Sequence, residues 1–324
     1  MNHKPLIVVA GEPFSIFSEI FLKIYKKKIK KTKFPIILIV SKKLFQKQMH
    51  KLNYSYKLKI LKEEDVLKKR IDNKYINLID VNFKFKKTFD KISYKSSKYI
   101  ENCFKIALNI LKKNKAIGMI NGPVSKKFFL KKKHLGITEY LSRKSNISNF
   151  AMLIFNDKIS VSPVTTHMPL KYVYKHISKK KIVNNIIKIH QFYKKYLNRK
   201  VSVAVLGLNP HCETTDNFSE EDKIITPAIK TLKRGKINVK GPYPADTFFQ
   251  SKNLLNFDVV VGMYHDQVLT PIKTLYKFDA INITLGLPYI RISPDHGTNN
   301  QMIGKNQSDP QSLYSAIKFF NKIK

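Results

Sequence analysis

Cysteine is nearly missing from this 324-residue chain, with Cys103 and Cys212 its only two. That excludes a disulfide framework and fits a reducing compartment. Arginine is almost as scarce: Arg70, Arg143, Arg199, Arg234 and Arg291 are five among 61 basic residues. Nucleic-acid interfaces favour Arg for bidentate contacts. The formal net charge of +39 therefore reads as a Lys-rich solvated surface rather than a nucleic-acid stripe. The lysines run the whole length, in KKKIKKTK, FKFKK, LKKKHLG and HISKKKIV. The same charge draws anionic, phosphorylated small molecules toward any cleft. No stretch reaches the ~18 consecutive apolar residues that a membrane span needs. The opening MNHKPLIVVAGEPFS has an apolar run too short for a signal peptide and no small-residue cleavage site. Neither GxGxxG nor GxxxxGKS/T occurs, so a Rossmann or P-loop nucleotide site has no support. Internal repeats, low-complexity linkers and heptads are missing too. The expectation is a soluble cytoplasmic protein with no nucleic-acid and no membrane partner.

What is present is an ordinary apolar share, 43%, on a chain long enough for two domains. Strand-like runs alternate with longer amphipathic stretches, which predicts a mainly parallel, doubly wound α/β architecture. LIVVA, FPIILIV, AIGMI, VSVAVLGL, FDVVVGM and AINITLG read as strands. SEIFLKIYKKK, SSKYIENCFKIALNILKKN, PLKYVYKHI, KKIVNNIIKIHQFYKKYL and SLYSAIKFFNKI read as helices. FAMLIF and KISVSPV read as two strands around the turn Asn156-Asp157. The expected division is 1–126 plus 297–324 as a first α/β domain, the final helix returning to it, and 127–296 as a second.

Three histidines each follow an apolar strand directly: His167 in SVSPVTTHMPL, His211 in VAVLGLNPHCE and His265 in VVVGMYHDQ. In an open parallel sheet the strand carboxyl ends form one edge, and ligands bind outside it. Gaps of 44 and 54 residues suit separate strand-helix units rather than a finger-type zinc site. Three imidazoles with an open position make the catalytic pattern for a divalent metal, and they accept zinc, cobalt, manganese or nickel. Taken singly, each His also reads as a hydrogen-bonded loop residue. Tyr264, Asp266 and Asn209 are placed to orient the rings, whereas Cys212 adjoins His211 without having to point the same way. Among the remaining histidines His296 stands out, because it opens DHGT.

Other groups suit anions or proton transfer. Arg291 sits in the otherwise apolar GLPYIRISPDHGT, where a guanidinium suits a carboxylate or phosphate. Lys273 in VLTPIKTL and Asn282 in AINITLG read as comparable strand-edge positions, and the lysine reads equally as one more surface charge. Asp246, in GPYPADTFF, is either a helix N-cap or an acid/base group. Asn121 and Lys126, in NGPVSKKFF, lie at a strand-to-helix turn suited to an anion.

The ordered set NGPVSK, TEYLS, VTTHMPLKYV, GLNPHCE, GPYPADTFF, YHDQVLTPIK and NITLGLPYIRISPDHGT closely resembles the 4-hydroxythreonine-4-phosphate dehydrogenase family of vitamin B6 biosynthesis. The resemblance spans nearly the whole chain, with the motifs in family order. It implies the two-domain, doubly wound fold of the isocitrate and isopropylmalate dehydrogenases, a homodimer, and an active site in the interdomain cleft. It implies a divalent metal (zinc, cobalt, magnesium or manganese) held by His167, His211 and His265. Thr138, Lys273, Asn282 and Arg291 then hold the phosphorylated substrate, with Ile137 at its rim. NAD or NADP is the implied cofactor, with Asn121, His296, Gly297, Thr298 and Gln301 on its side. The implied reaction oxidises and decarboxylates 4-phosphooxy-L-threonine to 3-amino-2-oxopropyl phosphate, with Asp246 and Lys126 as proton-transfer candidates.

The chain departs from the family pattern at several points. GITE puts Ile137 where the family usually has His, and a lost polar contact to a buried substrate group costs about 1–3 kcal/mol or signals a changed ligand. Phe14 and Phe17 occupy a loop that the family keeps glycine-rich. CETTDNFSEED replaces a Gly-containing loop, and Gln301 stands where the wider superfamily has a ribose-binding Asp. Two alternatives follow: the same chemistry on threonate or erythronate 4-phosphate, or a noncatalytic relative that binds a phosphometabolite.

Overall fold

The computed structural model describes residues 4–68, 70–131, 133–134, 136–250, 252–276 and 280–323. The chain forms two compact units, one of 1–141 with 288–321 and another of 142–287 with 322–324. Among the described residues no helix is long and apolar enough to cross a membrane.

The first unit is built on continuous apolar runs, the signature of strands covered on both faces. Its strands are β1 (Leu6–Val9), β2 (Ile36–Val40), β3 (Leu58–Ile60), β4 (Ile76–Asp80), β5 (Gly118–Asn121) and β12 (Arg291–Pro294). They lie in the order β3-β4-β2-β1-β5-β12, and every pairing is parallel. The helix Ser97–Lys112 turns Tyr99, Ile100, Cys103, Phe104, Ala107, Leu108 and Leu111 inward at helical spacing. Cys103 is thus a core residue, its thiol pushed up to about 12 by burial.

The strand order reverses at β1, so the loops after β1 and β5 face each other at a switch point. A Cβ on Gly122 would lie 2.2 Å from the Ala10 carbonyl oxygen and 2.6 Å from the Phe17 ring. Only glycine permits that approach. Phe14 and Phe17 are both buried, Phe14 meeting Phe83 edge-on at 5.7 Å. The two rings therefore fill the core of this unit. In the helix Phe17–Tyr25, the buried Glu19 accepts hydrogen bonds from the Ser308 amide and from Lys23 Nζ. Lys23 also donates to the Asn306 and Ser308 carbonyls, clasping the returning C-terminal segment.

The second unit contains β6 (Ala151–Phe155), β7 (Ser160–Pro163), β8 (Val203–Leu206), β9 (Val239–Tyr243), β10 (Val259–Gly262) and β11 (Ile281–Leu285). Their order is β11-β6-β7-β10-β8-β9. From β7 to β9 the pairing is parallel, but β6 runs antiparallel to both β7 and β11. The connection through Asn156 and Asp157 explains the reversal, since a parallel return needs a crossover of a dozen or more residues. Met152, Ile154, Val161, Ala204, Leu206, Phe248, Phe257 and Val260 belong to the core of this unit.

Glu12, in the β1 loop, is 1% exposed, and its Oε2 accepts a 2.9 Å bond from Ser96 Oγ. Burial raises its pKa from 4.5 to about 7, against the opposing Ser96 and Phe14 bonds. A carboxyl raised on folding stabilises the protein at low pH and loses that contribution as pH climbs from 4.5 toward 7. Glu12→Gln should leave stability near pH 4.5 unchanged and raise it at pH 8 by up to about 3 kcal/mol. Denaturant unfolding at both pH values checks this; equal shifts at both would contradict it.

Candidate active site

Four neighbouring parallel strands in the second unit, β7, β10, β8 and β9, each run into a loop or helix start that carries one candidate group. In spatial order these are His167, His265, His211 and Asp246. The parallel ladder continues past the strand ends. Val164 and Thr165 amides donate to Gly262 and Met263 carbonyls at 2.8 and 3.1 Å, and the Gly207 amide donates to Tyr243 at 2.9 Å. Side chains add further ties. Thr165 Oγ1 donates to the Met263 carbonyl at 2.7 Å. Gln267 accepts from the Met263 amide and donates to the Gly207 carbonyl, both at 2.7 Å. Buried Glu221 accepts from the Leu208 and Asn209 amides at 2.7 and 2.9 Å and from Asn209 Nδ2. Burial opposes the Glu221 charge, but the Asn209 and Leu208 bonds outweigh it and hold the carboxyl below its ordinary range.

The His167 and His265 rings lie 5.5 Å apart between centroids. His265 Nδ1 is 2.6 Å from Asp266 Oδ1, an arrangement that orients the ring and leaves Nε2 available. His211 has a left-handed backbone, φ 56°, and its Nδ1 is 3.8 Å from Asp246 Oδ2. Both of these side chains are more than half exposed. The structure thus brings together His167 with His265, and His211 with Asp246. Among the described residues no three His, Cys, Asp or Glu side chains are gathered closely enough to hold a metal ion.

Neighbouring residues sort out several sequence alternatives. Cys212 packs over Gly207, where an added Cβ would meet its Sγ at 2.6 Å. Burial, then the nearby Glu221 carboxylate, raises the Cys212 pKa. Asp246 lies in the first turn of Ala245–Phe248 behind Pro244, and no side chain caps that helix, so the N-cap reading fails. Lys273 is not at a strand edge as its surroundings suggested. It lies exposed in the helix His265–Tyr276, which runs through Pro271 because Val268, Leu269 and Ile272 anchor its buried face. Asn282 does lie on a strand, opposite Ile154, with its Oδ1 buried and lacking a partner among the described residues.

In the first unit, Arg291 is fully buried at the start of β12. Its Nε donates to Asn121 Oδ1 at 2.7 Å and its Nη1 to Thr138 Oγ1 at 3.1 Å. Burial lowers its pKa to about 10, still far above neutrality. Asn121 also donates to the Gly122 carbonyl, so it belongs to the Arg291 cluster. Lys126 is exposed at the start of Lys126–Leu130, a turn whose Ser125 accepts from the Phe128 amide. Ile137 packs against this unit's core. His296 Nδ1 sits 3.2 Å from the Gly297 carbonyl oxygen, while its Nε2 is buried with no partner among the described residues. Burial lowers the His296 pKa. A Cβ added at Gly297 would meet nothing within 4 Å, so packing does not demand that glycine. The Thr298 carbonyl accepts from the Ile16 amide, and Gln301 is exposed in the short helix Asn300–Met302.

Glu221 and Gln267 carry the loop geometry, and little in their sequence surroundings marks either. Glu221 is one acid among several in CETTDNFSEED. Gln267 stood next to a more conspicuous His-Asp pair.

The family described as pyridoxal phosphate biosynthetic protein PdxA matches residues 31–320. A Sulfurihydrogenibium protein named 4-hydroxythreonine-4-phosphate dehydrogenase is 38% identical over 318 residues, covering 97% of this chain and 96% of its own. The solved 4-hydroxythreonine-4-phosphate dehydrogenase of Klebsiella pneumoniae superposes with a TM-score of 0.82 at 24% identity, covering 98% of both chains. An isocitrate dehydrogenase from Methylococcus capsulatus shares the fold at TM-score 0.50 and 8% identity, covering 98% of this chain and 85% of its own. With the family match across most of its length and a relative this similar from end to end, the chain belongs to the PdxA family of pyridoxal phosphate biosynthetic proteins.

Proposed function

We propose that this chain is a metal-dependent 4-hydroxythreonine-4-phosphate dehydrogenase. It oxidises 4-phosphooxy-L-threonine with NAD or NADP and releases carbon dioxide to give 3-amino-2-oxopropyl phosphate for pyridoxine 5'-phosphate synthesis. It works in the cytoplasm as a homodimer. The observation that carries the reading is the row of His167, His265, His211 and Asp246 at the carboxyl ends of four adjacent parallel strands.

The donor set suits a divalent metal. Imidazole nitrogens favour zinc or cobalt over hard cations such as magnesium, and His265 already has Nδ1 committed to Asp266. His167 and His265, already neighbours, would hold the ion together with His211 once its exposed side chain draws in from Asp246, since no three such groups meet among the described residues as they lie. A nicotinamide cofactor fits the His296 segment, where a buried Nε2 lacks a partner among the described residues and Gly297 borders open space. Thr298 and Gln301 complete that segment, and Asn121, bonded to Arg291, is the further cofactor candidate. When bound, the metal supplies Lewis acidity and the nicotinamide a hydride acceptor.

The remaining work falls to the protein. Asp246 takes the substrate hydroxyl proton onto its carboxylate, steadied by His211 at 3.8 Å. Lys126 Nζ supplies the proton that replaces the lost carboxylate. Thr138, Lys273, Asn282 and Arg291 grip the anionic substrate and align its reacting carbon. The Asn282 Oδ1, buried and unpartnered among the described residues, is an acceptor waiting for a donor. Ile137 offers no polar group, which favours threonate or erythronate 4-phosphate as the rival substrate.

Chelator treatment should abolish NADH formation, and zinc, cobalt or manganese should restore it. His167→Ala and His211→Ala should each lower kcat/KM about 100-fold or more. Full turnover after chelation, with no metal in the purified protein, would end the metal reading. Comparing turnover of the amino and hydroxy substrates decides between the two substrate readings. Gln267→Leu leaves the Met263 amide and Gly207 carbonyl buried without partners, so it should cost about 1–3 kcal/mol of stability. It should also weaken metal binding about tenfold, as lost support of ligating residues does. Denaturant unfolding and competition with a chromophoric chelator measure the two effects separately. Unchanged metal affinity would leave Gln267 a structural role alone.

A further inference from the structure

The parallel strands of the first unit have a second end. Two loops enter it side by side, one leading into β2 at Ile36 and the other into β4 at Ile76, and these strands are paired neighbours. Buried Asn73 stitches the loops together. Its Oδ1 accepts from the Ile36 amide at 2.9 Å, its Nδ2 donates to Thr32 Oγ1 and the Phe34 carbonyl, and its own carbonyl accepts from Tyr25. Asn77 adds bonds to the Ile36 and Asp72 carbonyls. Between these pinned loops lies a cavity of about 420 Å³, within the usual size range of small-ligand sites.

Four cations line this cavity, Lys30 and Lys33 from one loop and Arg70 and Lys74 from the other. None of the four has an acidic partner among the described residues. The single acid on the wall, Asp72, accepts the Lys74 amide at 3.0 Å. The net charge on the wall is +3 (four cations, one carboxylate). Here cations from both sides face one concavity whose backbone is held by buried side-chain bonds, so binding an anion requires little ordering of the walls.

We propose that this cavity is a second anion site, taking a small molecule with two or more phosphate groups. It is separate from the substrate edge, because it opens at the amino ends of the strands while doubly wound folds work at the carboxyl ends. It does not depend on the dehydrogenase reading, and its test needs no turnover.

Inorganic pyrophosphate titrated calorimetrically into the full chain, at fixed ionic strength near 150 mM, is the probe. The expected result is saturable binding that weakens tenfold or more in Lys30→Ala/Lys33→Ala and likewise in Arg70→Ala/Lys74→Ala. Lys179→Ala/Lys180→Ala, which removes the same charge from an exposed helix start of the second unit, should stay within twofold of the parent. Pyrophosphate should also slow hydrogen exchange at the Ile36 and Ile76 amides. Each cavity pair removes charge from a different loop, so one that fails to fold leaves the other as the test. Equal weakening in cavity and control variants, no saturable binding, or unchanged exchange at those amides would each overturn the proposal.

Discussion

The candidate site depends on a glutamine that performs no chemistry. Gln267 extends the backbone ladder sideways beyond the strand ends, accepting from the loop after β10 and donating to the loop after β8. Parallel strands stop offering each other hydrogen bonds once they become loops, and loops left to themselves drift. A buried amide with a donor and an acceptor on one rigid plane replaces the missing rung. Thr165 does the same on the β7 side, and Glu221 beneath the loop that carries His211. Such networks are valuable only when complete, because an unpaired buried polar group costs more than a paired one gains.

The first unit solves the opposite problem, that of keeping a charge inside. Arg291 is fully buried in a chain that puts nearly every other cation on the surface. Asn121 and Thr138 take two of its donors and fix the plane of the fork. The guanidinium remains protonated at neutral pH despite the burial that lowers its pKa to about 10. A lysine there would have a more labile charge and no planar fork, so the two bases are not interchangeable at this position.

Much of the architecture is legible in the sequence, and the misses have physical causes. β1, β2, β5, β8, β10 and β11 appear as apolar runs because both faces are covered. β3 does not, being a short strand with a half-exposed pattern at the sheet edge. β9, with Gly241 and Pro242 inside it, carries residues that argue against a central strand, and it lies at the edge where proline is tolerated. Lys273 read as a strand-edge position, although the apolar spacing of Val268, Leu269 and Ile272 marks a helix that continues through Pro271. The histidines are legible because strand ends are. The partnership of Arg291 with Asn121 is not, since it joins residues 170 positions apart.

The place of β10 governs when the histidine edge can exist. It lies between β7 and β8, both made earlier in the chain, and pairs with each of them. On the ribosome, the hairpin of β6 and β7 can close from nearby residues, while β7 and β8 must stay apart with unsatisfied edges until Val259–Gly262 emerges. The last made of the second unit's parallel strands is thus the keystone, and His265 arrives with it.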